Sequence, residues 1–145
     1  MIAVDTGHGQ IAYKLRQDPR VRLLEKTNAR YLSRQQLGEF ADLIAMDVSF
    51  ISATLVIPAV VSAAFPDGKN GRTGRELIVL VKPQFEVGRE QVGKGGIVRD
   101  PDAQRQAVKR VRDAVDEFAP ALVDIIESPI LGAEGNKEFL LCARF

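Results

Sequence analysis

Short unbroken apolar runs alternate along the chain with longer stretches of helical period, the pattern of a protein that alternates strands and helices. Ile2 to Asp5 reads as a strand closed by an acid and the turn Thr6-Gly7-His8-Gly9, followed by a helix from about Gln10 that Asp18-Pro19 stops. Val21 to Glu25 is the next strand, with Arg22 its one charged interruption, and Lys26-Thr27-Asn28 is a polar turn. Ser33 predicts the N-cap of a short helix ending near Phe40. Leu43 to Asp47 reads as a buried strand. The apolar stretch Phe50 to Phe65 is too long for a strand and reads as a helix, where Pro58 predicts a kink or an early start.

Pro66 to Gly74 reads as a surface turn, and Leu77 to Val81 as a strand covered on both faces, since no polar residue interrupts it. Gly88 to Arg99 is glycine-rich without apolar periodicity, a loop long enough to expect work from it. Asp100 caps a helix starting at Pro101, with the apolar stripe Ala107, Val108, Val111, Val115 and Phe118, and Pro120 ends it. Leu122 to Ile126 and Phe139 to Phe145 are the last strands, joined by the connection Ser128 to Asn136. The alternation predicts an α/β fold with a largely parallel sheet, and the final pair, lacking a helix between them, predicts an antiparallel finish.

At 145 residues the chain reads as one domain, large enough to bury about 70 per cent of its unfolded surface. Twenty Lys and Arg balance nineteen acids, so attraction to nucleic acid is not written in the total. Any such footprint is local: residues 88 to 112 carry seven basic side chains against three acidic ones, which reads either as a patch for phosphates, with Arg89, Lys94 and Arg99 the candidate RNA-binding residues, or as a solvated helix face with a charged loop before it. Cys142, the single cysteine, excludes an internal disulfide and a cysteine-rich metal site, and fits a reducing cytoplasm. His8 has no second His or Cys to share a metal with, so no metal is expected. No run approaches the roughly 20 apolar residues that cross a bilayer, so no membrane role is expected.

Three charged residues stand at strand ends: Asp47 after one run, Lys82 after another, and Glu138 before the last. Open α/β sheets bind ligands beyond the carboxyl ends of their strands, which places the three in one candidate catalytic site. Asp5 occupies the position where such a sheet offers a carboxylate to the vicinal hydroxyls of a ribose, and Thr27 and Asn28 follow the next strand.

Six segments in order, Asp5-Thr6-Gly7-His8-Gly9-Gln10, Thr27-Asn28-Ala29-Arg30, Met46-Asp47-Val48-Ser49-Phe50-Ile51-Ser52, Val81-Lys82-Pro83-Gln84-Phe85-Glu86, Gly93-Lys94-Gly95-Gly96 and Gly135-Asn136-Lys137-Glu138-Phe139, resemble the signatures of the TlyA family. That family consists of ribosomal RNA methyltransferases that use S-adenosylmethionine and carry an FtsJ-like catalytic domain. The resemblance covers residues 1–145 and implies a Rossmann-like methyltransferase fold. It also implies methylation of a ribose 2′-hydroxyl in ribosomal RNA or a ribosomal subunit, with Asp47, Lys82 and Glu138 as three members of a Lys-Asp-Lys-Glu tetrad. Lys82 would favour the ionised hydroxyl while Asp47 and Glu138 hold the ammonium. Asp5, Thr27, Asn28 and Asp47 would face the cofactor.

The chain departs from the family in lacking the S4-type domain, the first strand, its glycine-rich turn and the first tetrad lysine. The resemblance therefore implies a mis-assigned start or a truncated gene at Met1. It also implies a sheet that closes over the missing central strand, leaves it open, or borrows a strand in a homodimer. A catalytically inactive fragment, or an RNA-contacting module without cofactor, is the alternative function.

Overall fold

The computed structural model describes residues 1–145. Its elements are β1 (Ile2–Val4), α1 (Tyr13–Arg16), β2 (Arg22–Leu24), α2 (Arg34–Leu37), β3 (Leu43–Met46), α3 (Ile57–Ala64), α4 (Gly68–Arg72), β4 (Glu76–Val81), α5 (Pro83–Glu86), α6 (Pro101–Asp116), β5 (Leu122–Glu127) and β6 (Phe139–Arg144). The Ser33 cap forms as expected: its hydroxyl accepts from the Gln36 N–H while the Gln36 side chain accepts from the Ser33 N–H, a reciprocal capping box. Asp100 caps α6 through the Asp102 N–H, with Pro101 at the first helical position.

Several expectations change, among them the end of α2, which stops at Leu37 with Gly38 as its left-handed cap and not near Phe40. The helix expected from Gln10 to Gln17 contracts to Tyr13–Arg16, because Ala12, at ψ 138, is still extended where the helix begins. The run from Phe50 does not start a helix: Phe50 has φ +64, a 3₁₀ turn spans Ala53–Leu55, and α3 starts at Ile57 with Pro58 in its first turn, where the missing N–H costs nothing. The turn expected from Pro66 to Gly74 contains α4.

β1 and β2 pair in parallel as one small sheet, while the larger sheet has the order β3-β4-β6-β5, parallel at β3-β4 and antiparallel at β4-β6 and β5-β6. In the larger sheet Leu77, Val79, Val81, Leu141 and Ala143 share one face and are buried with Ile57 and Val61 of α3 and Val111 and Val115 of α6. The other face keeps Ile78, Leu80 and Leu140 half-buried and Leu43, Leu122 and Ile126 exposed, so β4 is covered on one side and not on both. An unbroken apolar strand marks apolar surroundings on both faces, but the sequence of the strand cannot say whether a helix supplies them.

Between β1 and β3 the two sheets stay apart, and the gap is an apolar cleft of about 610 Å³ lined by Ile2, Val4, Leu32, Ile44, Met46 and Val56 among others. The β1 groups bonded to β2 include the Met1 C=O and the Asp5 N–H, so by the alternation of a strand the N–H and C=O of Ile2 and Val4 face the cleft. Asp42 pairs with Glu76, which by the same alternation leaves Leu43, Ala45 and Asp47 facing it from the other side. Of the three arrangements expected for the sheet, this structure adopts the open one. Cleft-facing amides of Ile2, Val4, Leu43 and Ala45 are therefore expected to exchange hydrogen far faster than those of Ile78 and Leu141. Protection at those four, together with a doubled mass in solution, would instead mean that a second copy fills the gap.

Candidate active site at the carboxyl ends of β3 and β4

Parallel pairing of Met46 with Val79 brings the ends of β3 and β4 side by side, so the residues that follow them meet at one edge of the larger sheet. Lys82 leaves β4 in an extended conformation, and Pro83, fully buried at the first position of α5, fixes where the strand gives way to the helix. The Lys82 Nζ lies 2.6 Å from Asp47 Oδ1 and donates to Ser49 Oγ at 3.0 Å. The lysine side chain is 14 % exposed and that of Asp47 64 %, so an open carboxylate holds a sheltered ammonium at the rim of the cleft. Pairs this exposed contribute on the order of 0.2–1 kcal/mol to stability, so this one matters for where it holds the ammonium.

Glu138 precedes β6, and the last β4–β6 pair, Val81 with Phe139, sets it opposite Lys82 one step further on. Its carboxylate is nevertheless not among the partners of Lys82; it is buried and lies against Gly132, where an added Cβ would clash with Oε1. The sequence thus brings two of its three candidates into contact and leaves the third as a neighbour without a bond.

The candidate cofactor residues Asp5, Thr27 and Asn28 stand together at the ends of β1 and β2, each already engaged in its own turn. Asp5 Oδ1 accepts from the Gly7 N–H at 2.6 Å, the Thr27 hydroxyl donates to the Glu25 carbonyl at 3.0 Å, and Asn28 Oδ1 caps a 3₁₀ turn through the Arg30 N–H at 3.0 Å. Each keeps polar capacity beyond these bonds: the second carboxylate oxygen of Asp5, the Asn28 amide N–H groups and the Thr27 oxygen. His8 is held at the neighbouring turn by Glu25, which also pairs with Arg16.

The basic segment divides in two. On α6, Arg105, Lys109 and Arg112 pair with Asp102, Asp113 and Asp116 one turn away, whereas Arg89, Lys94 and Arg99 are exposed and make no ion pair. Their loop is tied down by Asn136, which is 2 % exposed: its Oδ1 accepts from the Val98 N–H, and its Nδ2 donates to the carbonyls of Gly96 and Ala133. The free cations are thereby fastened to the segment that carries Glu138.

Two residues of the site escaped sequence reasoning. Phe50, expected to open a helix, is 91 % exposed in a left-handed backbone conformation, with its ring 5.3 Å from that of Phe85. A bulky residue at positive φ is strained, and such strain concentrates at ligand clamps. Glu86, read as the last letter of a motif, is buried at the end of α5, where its carboxylate accepts from Ser52 Oγ at 2.5 Å and the Ala53 N–H at 2.7 Å. Its Ser52 partner lies 34 residues away in the chain, beyond the reach of any local pattern.

Burial raises Glu86 above the ordinary glutamate value of 4.5, against the opposing pull of Ser52, Ala53 and Arg110. The folded chain therefore holds that proton more tightly than the unfolded one. Its contribution to stability is full below 4.5 and is lost as pH rises through the raised value. Asp18, Glu25 and Asp67, lowered chiefly by hydrogen bonds from Arg20, the Gly9 N–H and Arg34, work in the opposite sense and lose their contribution as pH falls. These three titrate alike in wild type and Glu86→Gln. Urea unfolding across pH should accordingly show wild type losing stability relative to Glu86→Gln as pH climbs above 4.5, and a pH-independent difference would remove the assignment.

Parallel strands ending in Asp47 and Lys82, with an antiparallel β6 slotted between β4 and β5, give the arrangement of the Rossmann-like methyltransferase fold. Within that fold class the chain belongs to the FtsJ-like methyltransferase family, which matches residues 1–145. It is 43 % identical over 144 residues to the 16S/23S rRNA (cytidine-2′-O)-methyltransferase TlyA of Mycobacterium tuberculosis, a match that covers 99 % of this chain and 51 % of the relative. The chain thus spans about half the length of that curated relative. Among solved structures, a putative hemolysin from Streptococcus thermophilus is similar at a TM-score of 0.86 and 38 % identity, over 98 % of this chain and 49 % of that one. An O-methyltransferase from Bacillus cereus, solved in complex with SAH, shares the fold at a TM-score of 0.50 and 14 % identity over 86 % of this chain and 50 % of that one.

Proposed function

We propose that the chain is the catalytic part of an enzyme that transfers a methyl group from S-adenosylmethionine to a ribose 2′-hydroxyl of ribosomal RNA. The observation that carries this reading is the Lys82 ammonium, held by Asp47 and Ser49 at the open carboxyl ends of β3 and β4. A ribose hydroxyl is a weak nucleophile at neutral pH, and a cation fixed beside it stabilises the negative charge that its oxygen develops. Asp47 and Ser49 keep the amine in one place, so the oxygen is aligned as well as sharpened. S-adenosylmethionine fits the remaining polar groups: the free carboxylate oxygen of Asp5 suits the hydroxyls of a ribose diol, and Asn28 and Thr27 suit an adenine edge. Bound there, the cofactor supplies the electrophilic methyl group.

Phe50 gives the target nucleotide a place to rest. RNA is read chiefly through unstacked bases laid on aromatic rings, and an exposed ring one residue from Ser49 is placed to receive the base whose ribose meets Lys82. Stacking is worth about 1–3 kcal/mol per base, so Phe50→Ala should weaken RNA binding by roughly 5- to 150-fold while Phe50→Trp retains it. Equal affinity of Phe50→Ala and wild type would remove the platform. Arg89, Lys94 and Arg99, free of internal partners, supply the phosphate contacts.

A chimera tests the whole reading: residues 1–145 replace the matched stretch of the Mycobacterium tuberculosis relative, and methyl transfer to ribosomal RNA is followed. Transfer supports the reading, and its absence while the parent relative remains active counts against it. A second reading, a non-catalytic RNA-contacting module, is favoured by the open cleft beside β1 and by the turn bonds that occupy Asp5, Thr27 and Asn28. Under it, salt-dependent RNA binding would survive loss of Lys82 and Asp47 in a chimera that transfers nothing.

A further inference from the structure

Two segments build the site, residues 47 to 53 after β3 and residues 82 to 86 after β4, and three ties join them. At one end Lys82 reaches Asp47 and Ser49; in the middle Phe85 meets Phe50; at the far end Glu86 grips Ser52 and Ala53. We propose that Glu86 is a positioning residue for Lys82, its buried carboxylate locking the 47–53 loop so that Asp47 and Ser49 stay on the ammonium.

Between Met46 and the 3₁₀ turn at Ala53–Leu55 the loop has no regular structure, and Phe50 within it is held at a positive φ that a bulky side chain disfavours. An exposed ion pair at its other end is too weak to hold such a loop alone. The Glu86 bonds differ in kind. They are short, sheltered from water and made by a buried side chain, so water does not compete for them as it does for the exposed pair. Ser52 has one hydrogen, and it goes to Glu86, so the Thr54 hydroxyl at 2.7 Å and the Thr54 N–H must both donate to Ser52 Oγ. The serine is therefore oriented from both sides. Arg110 of α6 donates to the Glu86 carbonyl at 2.5 Å, anchoring the far end of α5 to the long helix beneath it.

The consequence for turnover rests on the proposed role of Lys82, but the lock can be read in the isolated chain without RNA or cofactor. In a sample with ¹³C-labelled lysine, relaxation of the Lys82 ε-methylene should report a restrained side chain, in contrast to the exposed, unpaired Lys94. Glu86→Ala should release Lys82 toward the mobility of Lys94, and Glu86→Gln, which keeps an acceptor for the Ala53 N–H, should restore part of the restraint. Should Glu86→Ala fail to fold, Ser52→Ala removes the 2.5 Å bond to Glu86 together with the Thr54 contacts to the hydroxyl, leaves the Ala53 N–H on Glu86, and is expected to mobilise Lys82 in part. In the chimera, Glu86→Ala should lower kcat roughly 10- to 100-fold, the cost of a misplaced catalytic group. A folded Glu86→Ala or Ser52→Ala chain whose Lys82 stays as restrained as in wild type overturns the proposal. A wild-type chimera without methyl transfer, alongside a Lys82 that Glu86→Ala does release, would defeat the functional reading and leave the lock standing.

Discussion

Lys82→Ala in the chimera is expected to reduce methyl transfer by about 10²- to 10⁴-fold, the range for removing a positioned group that assists proton departure in the transition state. The site makes this the largest single effect, because Lys82 is the point on which Asp47 and Ser49 both converge. Its pair with Asp47 is exposed enough that truncation costs on the order of 1 kcal/mol or less in stability, so the loss separates from unfolding. Asp47→Asn keeps the shape and removes the charge, and should fall between wild type and Lys82→Ala. Glu138 makes no bond to Lys82, so Glu138→Gln should cost less than Asp47→Asn. Substitutions at Lys82 that left turnover intact would remove the mechanism.

The isolated chain is expected to bind S-adenosylmethionine weakly, with a dissociation constant no tighter than about 1 mM, worth roughly 4 kcal/mol. Asp5, Thr27 and Asn28 lie on the β1–β2 side of the cleft and Asp47 on the β3 side, and between them the strand edges face one another without a partner. A ligand laid across that opening meets walls that no shared sheet holds at a fixed separation. Ordering them is charged against its affinity. Titration calorimetry checks this directly: micromolar binding would show that the open cleft is already a finished site, and the chimera should bind at least tenfold more tightly than the isolated chain.

Where the information was local, the sequence revealed the fold. Ser33 with Gln36, and Asp100 with Pro101, announce two helix starts because a cap is satisfied within three residues. Lys82-Pro83 marks a strand end because proline can open a helix but cannot continue a ladder. What stayed hidden depends on contacts made at a distance. The burial of β4 on one face depends on where α3 and α6 dock, and the isolation of β1 and β2 depends on a pairing that strands of three residues cannot announce. Phe50 and Glu86 were invisible for related reasons. An apolar letter in an apolar run reads as part of a helix, and a glutamate at the end of a motif carries no sign of its burial, until folding shows the first turned outward and the second turned inward. Strand-end position pointed to Asp47 and Lys82 before the family resemblance gave them roles, and the structure added the loop that holds them together.

The measurement that reaches the central claim most directly is the chemical position of the transferred methyl group. Ribosomal RNA would be incubated with the chimera and S-adenosylmethionine carrying a labelled methyl, then hydrolysed in alkali. A methylated 2′-oxygen cannot attack the neighbouring phosphodiester, so the account predicts label in an alkali-stable dinucleotide, and none from Lys82→Ala. Label released in mononucleotides, the signature of a methylated base, would contradict it.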